Sequence, residues 1–271
     1  MNLKYRQDWQ GKIALITGAS SGIGEATARL LSLQGLHTVL AARRVERLTK
    51  IAEGIREQGG QANVIPVDLT QEVDRIRLYE RVLGEIGPVE VLVNNAGFGW
   101  YGFYADMPWE TALEMLQVNV TAAIHLTHLF LSDMRSRNSG HIINIGSVSG
   151  SIPSQGIALY GASKSFLDAF TTAVYRELGG TNVHIGVVRA GPVTSEFYQQ
   201  AKKRLYGRTI PGERFAVSSE RVAACIWRLL RNPKRIVYVP TLLRVTPWIE
   251  LLFGWIADRL GPLHLRRQSI V

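Results

Sequence analysis

KIALITGASSGIG, residues 12–24, joins a short apolar run to three closely spaced glycines. Lys12 to Thr17 suits a fully buried strand. Gly18, Gly22 and Gly24 follow in one turn with Ser20, Ser21 and Ile23, and a helical pattern then runs from Glu25 to Leu33, closed by Gly35. Strand, glycine turn and helix in that order allow a tight turn and close backbone approach, so that a pyrophosphate can sit at the helix N-terminus. The spacing is GxxxGxG rather than GxGxxG. A glycine-rich strand–helix turn without a ligand has the same local pattern, so the rest of the chain must decide.

The remainder repeats the alternation. A second strand, His37 to Ala42, ends in Arg43-Arg44, and a helix follows from Val45 to Gln58. Asn63 to Val67 reads as the third strand, with Asp68-Leu69 at its carboxyl end. Val89 to Val93 is the fourth, followed by Asn94-Asn95-Ala96-Gly97. Pro108 to about Met134 is helical and carries Asn119 in an apolar stretch, where a buried amide needs partners and can bend the helix. His141 to Ile145, Val183 to Arg189 and Ile236 to Val239 complete seven strands. The expected fold is α/β, a Rossmann-like doubly wound parallel sheet, with residues 10–240 as one catalytic domain and 241–271 as a helical extension. Each candidate site residue named so far, Asn119 apart, follows a strand, and the carboxyl ends of strands are where such sheets bind ligands.

The chemistry concentrates in NIGSVSGSIPSQGIALYGASK, residues 144–164. Tyr160 and Lys164 stand four residues apart, on one face of a predicted helix. A free phenol titrates near pH ~10, and a fixed cation beside it favours the phenolate. Ser147, at a strand end, can hydrogen-bond the oxygen that Tyr160 protonates. The pair alone also fits an ordinary helix surface. At the end of strand two, Arg43 lies 19 residues past Gly24 with no acid between Val39 and Arg44. An acid there suits a ribose 2′-hydroxyl and an arginine a 2′-phosphate. Arg43 follows the strand directly and is expected to matter more than Arg44.

The formal charge is +9, with arginines spread along the chain and no aromatic interleaving, which argues against nucleic acid. Cys225 is the only cysteine and the histidines lack ligand spacing, so neither a disulfide framework nor a metal site is expected. The N-terminus lacks an apolar signal core, which points to a cytoplasmic compartment.

Taken together, these residues resemble the short-chain dehydrogenase/reductase family over roughly residues 10 to 240. Thr17-Gly18-x-x-x-Gly22-x-Gly24 is similar to its cofactor motif, Asn94-Asn95-Ala96-Gly97 to its NNAG element and Asp68 to its adenine-contacting acid. Asn119, Ser147, Tyr160 and Lys164 match its catalytic tetrad. The resemblance implies NADP (NADPH) as cofactor and a small carbonyl or alcohol substrate, with Tyr160 as proton donor and Ser147 polarising the carbonyl. Lys164 would lower the tyrosine pKa and bind the nicotinamide ribose, and Asn119 would help position a water. It also implies a homodimer or homotetramer built on the long helices. After strand six the family has Pro-Gly and a threonine that meets the nicotinamide carboxamide. Here Ala190-Gly191-Pro192-Val193-Thr194-Ser195 stands there, and either Ser195 or Thr194 can supply the hydroxyl. A catalytically idle dinucleotide-binding regulator and a surface-bound interaction protein are the competing classes; an intact tetrad argues against the first.

Beyond Ser195, Tyr198, Leu205 and Tyr206 can line a pocket, and Lys202, Lys203 and Arg204 read as a solvated basic face. Near the C-terminus, Thr246 can cap a helix that Gly261-Pro262 end. Val245, Trp248, Ile249, Leu252, Trp255 and Ile256 share a face. About fourteen residues span ~21 Å, short of a ~30 Å hydrocarbon core. Docking on the chain's own domain is the first expectation for this helix; pairing with another subunit and lying on a membrane surface are the others.

Overall fold

The structure, a computed structural model, describes residues 8–208 and 216–267, with the side chains of 257 and 260–267 left aside. Seven parallel strands form one sheet in the order β3-β2-β1-β4-β5-β6-β9. They are β1 (Ile13–Thr17), β2 (His37–Ala42), β3 (Gln61–Pro66), β4 (Val89–Asn94), β5 (Gly140–Ser147), β6 (Val183–Ala190) and β9 (Ile236–Val239). Strands β1, β4 and β5 are buried at every residue, as a sheet covered on both faces requires. The order reverses direction between β1 and β4, and the crevice at such a switch point is the ligand position in doubly wound sheets. Two short strands, β7 (Val193–Thr194) and β8 (Val217–Ser218), pair separately and had no counterpart in the sequence reading.

One face of the sheet carries α1 (Gly22–Leu33), α2 (Val45–Glu57) and α8 (Ser219–Arg231). Leu31, Leu48, Ile51 and Ile226 pack there against Ile16 and Val93. The other face carries α3 (Glu72–Glu85), α5 (Ala122–Arg137) and α6 (Ala158–Glu177), with Leu78, Leu126, Phe130 and Val174 against Leu15 and Leu92. Full burial of such a side chain contributes about 1.5–3 kcal/mol, so these two layers hold the sheet rigid beneath the site.

Strand β3 begins at Gln61 rather than Asn63. It is an edge strand with alternate residues exposed, so a polar start is tolerated. The helix expected from Pro108 is α4 (Trp109–Leu116) and α5 joined by a π segment, Gln117–Thr121, with Asn119 inside it. The C-terminal helix α9 (Thr246–Arg267) does not end at Gly261-Pro262 but continues through them. A proline removes one backbone bond and strains the preceding turn, which bends a helix more readily than it stops one. Nor does Thr246 cap it in the expected way, because its hydroxyl donates back to the Leu243 carbonyl at 2.8 Å. The apolar face of α9 does not dock on its own domain: Trp248, Leu252 and Trp255 are exposed. Among the described residues no helix is long and apolar enough to cross a membrane.

Candidate active site

A cavity of about 430 Å³ lies at the carboxyl ends of the strands. Gly18, Ser20, Ser21, Gly22, Ile23, Arg43, Arg44, Asp68, Leu69, Asn95, Ala96, Gly97, Ser147, Tyr160, Lys164, Gly191, Val193 and Ser195 all line it. Gly24 and Asn119, also named from sequence, do not line it and act one layer behind.

The glycine turn is held by contact. Gly18 has φ +63°, and a Cβ there would lie 2.9 Å from Ala96 Cα. At Gly24 a Cβ would lie 2.4 Å from the Gly18 carbonyl oxygen, so Gly24 lets α1 start directly under the turn. Thr17 fixes the opposite wall: its hydroxyl accepts from the Asn95 and Ala96 amides at 3.0 and 3.1 Å and donates to the Val93 carbonyl. Ser21 is the N-cap of α1, yet its side chain makes no capping bond. The first amides of α1 thus stay available, which fits a bound pyrophosphate.

Arg44, not Arg43, closes this end. Its Nε and Nη2 donate to Ser20 Oγ at 3.1 and 2.9 Å, and Nη2 also donates to Ser21 Oγ at 2.7 Å. Its Nη1 donates to Glu196 Oε2 at 2.7 Å, and Arg47 bonds the other oxygen of the same carboxylate. Hydrogen bonds from Arg44 and Arg47 hold Glu196 below the usual carboxylate range. Arg43 turns outward toward Glu114 at 3.4 Å with 61% of its side chain exposed. Both arginines line the cavity, and Arg44 is the one bonded into the glycine turn. Arg47 and Glu196 escaped the sequence reading, although Arg44-x-x-Arg47 at helical spacing was a usable signal.

Asp68 accepts from the Thr70 amide and hydroxyl at 3.1 and 2.9 Å, which fixes the loop after β3 at the cavity edge. Across the cavity, Ser195 lines the wall, whereas Thr194 is exposed and lies outside it. Ser195 is accordingly the hydroxyl in place. Ala190, at the position of the family's proline, pairs with Ser147 and Val239 inside the sheet.

Asn119 works through the backbone. Its Oδ1 accepts from the Phe98 amide at 3.0 Å, and its Nδ2 donates to the Phe98 carbonyl at 2.9 Å and Ser163 Oγ at 3.2 Å. The π segment turns this amide toward the strand-four loop. Asn119→Ala would leave two buried backbone groups at Phe98 unpaired. We expect a loss of about 2–4 kcal/mol in urea unfolding, and a loss under ~0.5 kcal/mol would contradict this bracing role.

Ser147 ends β5, and Tyr160 and Lys164 project from the first two turns of α6. Lys164 Nζ donates to the Ile145 carbonyl at 2.8 Å and lies 5.7 Å from the centroid of the Tyr160 ring. Burial brings Lys164 down to about 8, opposed by Asp168 one turn on. Asp168 itself pairs with Arg189 at 2.9 Å. Burial pushes the Tyr160 phenol up to about 12, a bond with Ser147 pulls it back, and Tyr198 raises it. The expected lowering of the phenol by the lysine is overridden: the ammonium is bound to a carbonyl, and the ring is walled by Phe98, Trp100 and Met115.

The remaining wall is α7 (Phe197–Lys203), whose Phe197 ring stands 5.4 Å from that of Tyr160. Arg204 lies 3.5 Å over the Phe98 ring and pairs with Glu114 at 2.7 Å, so it is wall rather than solvated surface. Tyr198 is buried against the cavity, but Leu205 and Tyr206 are exposed and do not line it.

A switch-point cavity with an open helix N-terminus fits a dinucleotide, and Ser147, Tyr160 and Lys164 stand together in its lining. The chain belongs to the short-chain dehydrogenase/reductase family, whose model (short chain dehydrogenase) matches residues 12–205. It is 32% identical over 225 residues to an uncharacterized oxidoreductase of Staphylococcus epidermidis, covering 83% of this chain and 93% of that protein. A metagenomic short-chain oxidoreductase in complex with NADP is 31% identical, with a TM-score of 0.73 over 86% of this chain and 96% of that one. A Burkholderia phymatum short-chain dehydrogenase in complex with NAD shares the fold, with a TM-score of 0.81 at 23% identity, covering 89% and 93% of the two chains.

Proposed function

We propose that this chain is an NADP(H)-dependent oxidoreductase that transfers hydride between the nicotinamide and a carbonyl or secondary alcohol, with Tyr160 as proton donor and acceptor. The observation that carries this reading is the joint position of Ser147, Tyr160 and Lys164 at one end of the cavity and Arg44 at the other. When bound, the dinucleotide supplies or takes up the hydride. Tyr160 holds its proton firmly at neutral pH, which prepares the site for reduction. Ser147, bonded to the phenol oxygen, is placed to orient the same carbonyl oxygen. Lys164 contributes a positive charge beside the ring. The NADP-bound relative at 31% identity supports the cofactor assignment. The proposed assembly is a homodimer or homotetramer using the long helices, consistent with exposed Phe166 and Tyr175 on α6.

A panel of carbonyls with NADPH and of alcohols with NADP, followed at the nicotinamide absorbance, tests this reading. Turnover of no member would favour an idle dinucleotide-binding regulator. The pH dependence of kcat/KM reports the free enzyme. Lys164 carries its charge below pH about 8 and loses it above. Tyr160 keeps its proton to about 12. Reduction should therefore fall through an alkaline limb near pH 8 set by Lys164. Lys164→Arg, which stays protonated, should remove that limb; the same limb in the variant would assign it elsewhere.

A further inference from the structure

The segment from Leu242 to Arg259 leaves a large apolar surface that no described residue covers. Leu242, Trp248, Leu251, Leu252, Phe253 and Trp255 are each more than half exposed. At 100° per residue, the apolar residues between Trp248 and Trp255 cover an arc of about 200° around α9. Glu250, Gly254 and Asp258 make up a narrow stripe on the remaining side. A helix that docks on a protein surface needs an apolar stripe of about 100° or more. An arc twice that width calls for a medium that wraps the helix rather than a face that meets it.

The flanks favour one such medium. Trp248 and Trp255 lie seven residues apart on one line, and indole rings concentrate at the headgroup level of bilayers. Arg244 and Arg259 are exposed at the two ends, where the aliphatic stem can lie on apolar surface and the guanidinium reach phosphate. The sequence from Thr241 onward holds four arginines against Glu250 and Asp258, within a chain of net charge +9. That balance complements an anionic leaflet. With no described helix long and apolar enough to span, the segment lies in the interface rather than across it.

We propose that Leu242–Arg259 is a bilayer-docking segment that lays its wide apolar arc into the boundary between headgroups and acyl chains of an anionic membrane. The stripe of Glu250, Gly254 and Asp258 lies on the side turned away from the bilayer, with Glu250 and Gly254 half-buried and Asp258 exposed. The segment is anchored to the catalytic unit through Leu243, which abuts Gly191 at the cavity wall; a Cβ on Gly191 would lie 2.6 Å from Leu243 Cδ1.

Sedimentation of the full chain with vesicles tests this, using phosphatidylcholine alone and phosphatidylcholine mixed with phosphatidylserine. The full chain should pellet with the mixed vesicles, less with phosphatidylcholine alone, and less at raised salt. The triple variant Trp248→Ser, Leu252→Ser, Trp255→Ser should bind at least about tenfold more weakly, with an unchanged melting curve because the three side chains are exposed. Arg244→Gln with Arg259→Gln should keep the apolar arc yet lose the preference for phosphatidylserine. A chain left in the supernatant with both vesicles overturns the proposal, as does equal pelleting with both or wild-type binding by the triple variant. A fall in particle mass of the triple variant by light scattering, without vesicles, would reassign the arc to a subunit interface.

Discussion

Tyr160→Phe is expected to lower kcat for carbonyl reduction by about 10²- to 10⁴-fold, the usual contribution of a positioned general acid. The substitution removes one oxygen and keeps the ring. Phe197 at 5.4 Å and the Phe98, Trp100 and Met115 cluster retain their partner, so the wall keeps its shape. Neither Ser147 nor Lys164 can take over the proton. A serine hydroxyl at Ser147 is a far weaker acid than a phenol, and Lys164 is committed to the Ile145 carbonyl. The cofactor end of the cavity lies on other elements, so NADP affinity should change by less than about threefold, under 0.7 kcal/mol. Steady-state kinetics on a substrate found by the panel, with NADP titration of the same variant, separates the two quantities. Turnover within tenfold of wild type would refute the assignment of Tyr160.

The sheet was legible because a parallel strand covered on both faces is largely apolar, as Ile13–Ile16 and Val91–Val93 are. The glycine turn was legible for a related reason: backbone approaches as close as that of Gly24 to Gly18 admit no side chain, so the residue type records the contact. The site residues at strand ends followed from the topology. What escaped were features set by partners distant in sequence. Arg44 and Glu196 are 152 positions apart, and nothing local at residues 43–44 says which guanidinium turns inward. Strands β7 and β8, two residues each, are too short to show a period. Spacing at Tyr160 reports only the nearby cation, whereas the enclosing apolar wall that raises the phenol comes from the loop after β4 and from α4. The α9 periodicity gave an apolar face but not its covering, since a stripe looks alike whether protein or lipid meets it.

Cofactor choice gives the second large effect, and it falls on Arg44. Arg44→Glu should raise the NADP dissociation constant by at least about 100-fold while changing that for NAD by less than about threefold. A charge-assisted hydrogen bond contributes roughly 1.5–3 kcal/mol, so losing one costs ten- to hundredfold, and a carboxylate in its place adds repulsion toward a phosphate. Arg44 is pre-set for this role by its bonds to Ser20 and Ser21, which hold the guanidinium at the glycine turn. Those serines supply through Arg44 what a basic residue within the turn would supply directly. Arg47 adds a second cation, and Glu196 occupies both. A 2′-phosphate carries more charge than one carboxylate and would compete for the pair, releasing Glu196 and with it the start of α7. Glu196→Gln should consequently tighten NADP by about two- to tenfold at low salt, with the gain fading as salt screens it. Arg43→Ala, at an exposed side chain 3.4 Å from Glu114, should cost less than about threefold. Titration calorimetry of both cofactors against the three variants decides the matter. A larger penalty from Arg43→Ala than from Arg44→Glu, or tighter binding of NAD than NADP by the unaltered chain, would overturn the assignment of Arg44.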